Sequence, residues 1–215
     1  MVGAKTRLSN LFGTARVAGE ASQYRLPPFS IAIGINKDPT MTLQRIIDLV
    51  PPPDKPLFSG DSHEWRKILE RCKQRLPNSF AEYGRYYGSG EFKGGDVLRI
   101  FNPFDPDYDS DISFYCDTYV ALREDTPQYY PYACFPEERG IFPIGEGSSR
   151  ISFWLLPQTS LREFTIVFDD QSRGFVEFIV PCIFDFFYRF MLNQIEERPY
   201  FTEPIRFLRR ALHKS

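Results

Sequence analysis

Two stretches of this chain have residue types and spacing that could do chemistry. In DPDYDSD, Asp105, Asp107, Asp109 and Asp111 alternate as cation ligands can, and in GSGEFKGG, Gly88 to Gly95, glycines cluster as they do around phosphates. Each chemistry demands more than spacing. A calcium loop beginning at Asp105 needs glycine at its sixth position and a bidentate glutamate at its twelfth, where the chain has Ser110 and Cys116. A loop beginning at Asp107 fails at both positions too. Gly90 and Gly95 have phosphate-loop spacing, but Asp96-Val97 follows in place of Lys-Ser/Thr, and an acid there repels phosphate. Lys93 stands where a dinucleotide fingerprint needs its third glycine, and that loop follows a helix instead of a strand.

The remaining candidates for catalysis are sparse. Cys72, Cys116, Cys134 and Cys182 lie far apart, with no C-x-x-C pair and only His63 and His213 to join them, so no metal site is expected. No G-x-S-x-G elbow occurs, and histidines at opposite ends of the chain offer no ready nucleophile–base pair. The chain reads as a non-enzyme without cofactor or metal. Lacking a signal peptide or an apolar run of bilayer length, it reads as cytoplasmic, its thiols being small core residues in a reducing compartment.

Charge is more informative. The net charge is −2, but residues 96–185 hold six Arg against 16 Asp/Glu. A field of this sign disfavours nucleic acid and anionic membrane and favours a basic protein partner. The candidate contacts are Asp105, Asp107, Asp109 and Asp111, then Glu124 and Asp125. Glu137, Glu138, Asp169 and Asp170 complete the set.

These residues need elements to position them. Leu43, Ile46, Ile47 and Val50 have helical spacing that the prolines at 51–53 end, and Trp65, Ile68, Leu69, Cys72 and Leu76 form a second stripe capped by Asp61 or Ser62. In LPNSFAEYGRYYGSGEFKGGDVLRIFNPF, Leu76 to Phe104, Pro77 suits the first turn of a helix and Phe80, Tyr83 and Tyr87 share its buried face. Gly88 and Gly90 stop that helix, Gly94-Gly95 makes a second reversal, and a strand runs from Val97 to Phe101. The aspartate run predicts a solvated loop capping a helix from about Ile112 to Arg123, with Ile112, Tyr115, Cys116, Tyr119 and Leu122 inward. A Gly-rich turn at Gly145 to Gly147 leads into strands over 150–156, 163–169 and 175–180, and a strongly aromatic helix covers 182–195. A short basic helix is the candidate for 202–213. At the other end, Phe29 to Ile35 carries a short strand signal within a segment of no sustained period, and Met41 is an alternative translation start to Met1.

Trp65, Ile68, Leu76-Pro77, Phe80, Tyr87-Gly88-Ser89-Gly90, Ile100 and Asn102-Pro103, in that order, resemble the signature of the SUKH superfamily, the Smi/Knr-type domain. Pro143 to Gly145, Trp154, Asp169 and the aromatics Phe184 and Phe187 resemble its second half. Ile144 and Glu146 to Ser149 stand where members often carry a Trp and an Asp-rich turn. The matched residues read as core and backbone geometry. The resemblance implies a single α+β domain over 41–198 with a predominantly antiparallel sheet of about four to six strands flanked by helices. A poorly ordered N-terminal extension, 1–40, and a short basic C-terminal tail or helix, 199–215, flank it. It also implies an immunity protein that neutralises a cognate toxin domain by occlusion. Many such toxins are basic nucleases, which an acidic face would attract. A regulatory scaffold of the cell-wall-synthesis type is the alternative. The sequence leaves the oligomeric state open.

Overall fold

The computed structural model describes residues 29–32, 42–72, 76–148, 151–156, 164–170, 174–180, 182–195 and 199–210. The rest of the expected extension and of the basic tail lies outside the described residues. Their fold is α+β. Eight strands form one sheet: β1 (Phe29–Ala32), β2 (Gly90–Gly94), β3 (Asp96–Ile100), β4 (Phe142–Gly147), β5 (Ile151–Leu156), β6 (Phe164–Asp170), β7 (Gly174–Val180) and β8 (Arg206–Arg209). Five α-helices accompany it: α1 (Thr42–Leu49), α2 (Ser62–Cys72), α3 (Asn78–Tyr87), α4 (Tyr108–Asp125) and α5 (Ile183–Met191).

The sheet order is β1-β7-β6-β5-β4-β3-β2-β8. From β2 to β7 each strand pairs antiparallel with the next in the chain, so the three strands expected over 150–180 belong to a longer meander. The two ends of the chain supply its edges. Phe29–Ala32, inside the segment expected to be poorly ordered, pairs parallel with β7, and β8 pairs antiparallel with β2. These edges and two glycine-rich strands raise the count above the expected four to six.

The helices cover both faces. On β5, Phe153 meets Phe186, Phe187 and Phe190 of α5, while its neighbour Trp154 meets Tyr115 and Tyr119 of α4. Successive side chains on a strand point to opposite faces, so these contacts put α5 and α4 on opposite sides of the sheet. This explains why Ile151 to Leu155 are all buried and why Val167 is as buried as Ile166 and Phe168. Phe184 of α5 also packs on Phe80 and Tyr83, which brings α3 to the α5 side.

Several local expectations are corrected. Pro77 is the N-cap of α3, with φ −60° and ψ 145°, one position before the first turn. Gly90 to Gly94, read as part of a turn, is a strand, and Pro143 to Gly147, read as a turn, is another with a register shift between Pro143 and Gly145. Helix α4 begins at Tyr108, four residues before the expected Ile112. The segment expected as a helix over 202–213 contains β8. Phe207 packs there on Tyr87 and Phe92, and β2 supplies backbone partners that a short basic helix would forgo.

Candidate functional site

Two arginines organise the start of α4. Arg99 of β3 bonds Asp111 of α4 and reaches Glu146 of β4 at 3.2 Å, with its guanidinium over the Phe101 ring at 4.9 Å. Arg210, just beyond β8, holds Asp107 at 2.9 Å, Asp105 at 3.1 Å and Asp111 at 3.9 Å. Tyr115 donates its hydroxyl to Glu146. Arg99, Asp105, Asp111 and Arg210 border a cleft of about 370 Å³ lined also by Ser89, Asn102 and Tyr108. Sheet and chain end thereby clamp the first turn and a half of α4 through charge.

Competing effects set the protonation here. Burial raises the Asp111 carboxyl above its ordinary 3.8; Glu146 and Asp105 push the same way, and together they outweigh Arg99 and Arg210. Burial first, then Glu146, pushes the Tyr115 hydroxyl up. For Arg210, burial alone would lower the value, but Asp105, Asp111 and Asp107 more than compensate and raise it.

Arg99→Met is expected to destabilise the fold by about 1–3 kcal/mol, because it strands Asp111 and Glu146 without their shared cation. Asp111→Asn should cost less. A carboxyl whose folded value is raised contributes stability that is fully present below its unfolded value and is lost as pH rises through the folded one. The asparagine variant should therefore compare more favourably with wild type at pH 7 than at pH 3, read from urea midpoints at both.

The ten acidic candidates do not form one surface. Asp105, with a side chain only 8% exposed, and Asp111 are held internally by Arg210 and Arg99, so the DPDYDSD run is a clamped helix start and not the solvated loop expected. Asp107 is 62% exposed beside Arg210. Glu137 pairs with Arg123 at 2.7 Å, and its neighbour Glu138 is exposed. Asp169 is buried at 6% exposure, because both faces of β6 are covered, and is withdrawn from the contact surface. The side chain of Asp170 lies outside the described residues. Asp109, Glu124 and Asp125 remain exposed on α4.

Sequence reasoning missed what stands beside them. Asp109, Ser113, Phe114, Asp117, Ala121, Glu124 and Asp125 are all exposed on α4, and Phe114 is 51% exposed. The signal was present: Phe114 falls out of phase with the buried Ile112, Cys116 and Tyr119. Helix α4 carries five acids against the single base Arg123.

The signature residues have architectural roles. Trp65 packs on Phe104 at 6.0 Å, Tyr87 donates to the Val50 carbonyl at 2.6 Å, and Trp154 donates to Ser152 at 2.8 Å. Asn102 ties three segments: its amide donates to the Phe58 carbonyl and to Ser89, and its carbonyl accepts the Phe104 N–H. Leu76, Phe80 and Pro103 are buried. Gly88 and Gly90 allow close backbone approach, to Leu57 and to Leu208.

Among the described residues, no three His, Cys, Asp or Glu side chains are grouped to hold a metal ion, and no helix is long and apolar enough to cross a membrane. No family model, curated protein or solved structure matches this chain.

Proposed function

We propose that this chain is a non-enzymatic, cytoplasmic protein-binding protein whose exposed α4 face docks a basic partner, in the manner of an immunity protein that occludes a cognate toxin domain. The observation that carries the reading is Phe114, half exposed on a helix face that also presents Asp117, Glu124 and Asp125. An aromatic anchor supplies desolvation energy, and surrounding carboxylates supply steering. The clamp by Arg99 and Arg210 supports the reading as well, because a helix held at its start presents its face with little ordering cost on binding. The resemblance to the SUKH signature supplies the partner's class. The acidic balance opposes nucleic acid as the ligand.

The test begins with capture of the partner by the immobilised full chain from the source cells, followed by its purification and stopped-flow association. A basic protein should associate at least about tenfold more slowly in 500 mM than in 50 mM NaCl. Phe114→Ala should weaken the complex about tenfold to a hundredfold, mostly through faster dissociation, with its unfolding midpoint unchanged. A salt-independent association rate together with wild-type affinity in Phe114→Ala would remove α4 as the docking face.

A further inference from the structure

We propose that residues 1–28 dock within their own molecule on the outer face of α4 and cover Phe114. Phe114, Asp117, Ala121 and Glu124 are all exposed and recur at intervals of three and four, so they form one stripe on the side of α4 away from the buried Ile112, Cys116 and Tyr119. The stripe alternates apolar and acidic positions, and Asp125 adds an exposed carboxylate beside its end. A complementary occupant is both apolar and basic. Residues 1–28 have that composition: Lys5, Arg7, Arg16 and Arg25 stand against the single acid Glu20, and Leu8, Leu11 and Phe12 are set between Arg7 and Arg16. A second copy of α4 would oppose carboxylate to carboxylate, which disfavours a dimer through this face.

The sheet brings this segment to α4. Strand β1 pairs parallel with β7, Phe29 opposite Val176, so the chain enters the sheet next to Phe175. The Phe175 ring lies 6.0 Å from that of Tyr119 on α4 and 5.6 Å from that of Tyr130 beyond the helix end. From Tyr119 back to Phe114 is about 8 Å along the helix axis. Between Phe12 and Phe29 the chain can span at most about 60 Å, so its reach includes the whole outer face of α4. A tethered segment meets such a site at an effective concentration on the order of 1 mM, so contacts too weak to hold a separate peptide still cover Phe114 for much of the time. The basic partner proposed above would have to displace residues 1–28. That consequence rests on the proposed function, whereas docking within the molecule does not.

The experiment uses the full chain carrying Phe114→Trp. Trp65 and Trp154 are buried, so acrylamide quenching of fluorescence reports chiefly the added indole. Combining it with Leu8→Ser, Leu11→Ser and Phe12→Ser should raise the quenching constant about twofold at every protein concentration, and 500 mM NaCl should raise it without those changes. Carbodiimide coupling of the unaltered chain is independent of any substitution: Lys5 should link within one molecule to Asp117, Glu124 or Asp125, as mapped by peptide mass spectrometry. An unchanged quenching constant in the triple serine variant overturns the proposal, as do Lys5 links confined to carboxylates off α4. So does protection that increases with protein concentration, which would place a second copy on the face, or protection lost instead on Leu212→Ser with Lys214→Ser, which would place residues 211–215 there. None of these measurements contains the partner, so their failure is distinct from a failure of α4 to bind one.

Discussion

Gly88→Ala is expected to destabilise the fold by about 3–5 kcal/mol, enough to lower a urea midpoint by more than 1 M at an m-value of roughly 1–3 kcal/mol/M. Gly88 ends α3 with φ 65° and ψ −143°, a region that side chains with a Cβ rarely enter. Space is lacking as well. A Cβ there would sit 2.0 Å from the Leu57 carbonyl oxygen, with the Leu57 nitrogen at 2.7 Å. Neither obstacle can rotate away, because Leu57 and Gly88 form a parallel bridge and the same carbonyl accepts the Ser89 N–H at 2.8 Å. Moving Leu57 would also disturb the Phe58 carbonyl that Asn102 holds at 2.9 Å. Gly147→Ala is the matched control: it lies in β4, where the nearest atom to a new Cβ is 3.4 Å away, and it should shift the midpoint by a small fraction of the Gly88 effect.

The contrast between these glycines shows what could be read from one dimension. Gly88 is legible because glycine after the Phe80, Tyr83 and Tyr87 face marks a helix end, and the structure ends α3 there. Gly90 and Gly145 carry the same letter with another meaning. Gly90 lies where Leu208 and Phe207 approach β2, and Gly145 where an added Cβ would sit 2.7 Å from the Arg99 carbonyl oxygen. Local grammar reads both as turns. Only the strand beyond shows that the missing side chain is a matter of packing distance within a sheet. The same limit hid β8. In the sequence Ile205, Leu208 and Leu212 fit a helical period, and the deciding partner of β8, β2, lies more than 110 residues earlier.

The site divides similarly. A surplus of acids after residue 95 is visible by counting, but their pairing is not. Arg99 and Arg210 are separated by most of the chain, and both reach Asp111, which sequence spacing alone presents as one more solvated aspartate. Asp169 reads as the acidic end of a strand. It is buried because helices cover both faces of the central sheet, a property of three layers and not of the β6 sequence. Phe114 is legible by phase on α4, two residues after the buried Ile112 and two before the buried Cys116.

The three layers make the second large prediction. Phe153→Ala is expected to cost about 3–5 kcal/mol, a substantial part of the 5–15 kcal/mol that holds a typical domain folded. Phe153 is fully buried on β5, and its ring lies 5.0–5.7 Å from those of Phe168, Phe186, Phe187 and Phe190. Truncation removes the transfer energy of the ring and leaves a cavity walled by four other rings, which cannot all turn inward without leaving their own contacts. Phe153→Leu should recover most of the loss by refilling that volume. Trp154→Ala, one residue along the chain, empties the opposite face under Tyr115 and Tyr119, and the two costs should add to within about 0.5 kcal/mol. Additivity follows if the sheet separates two independently packed layers. A coupling well above that size in a urea double-mutant cycle would mean that β5 transmits repacking between α5 and the underside of α4, and that the proposed docking face answers to the far core.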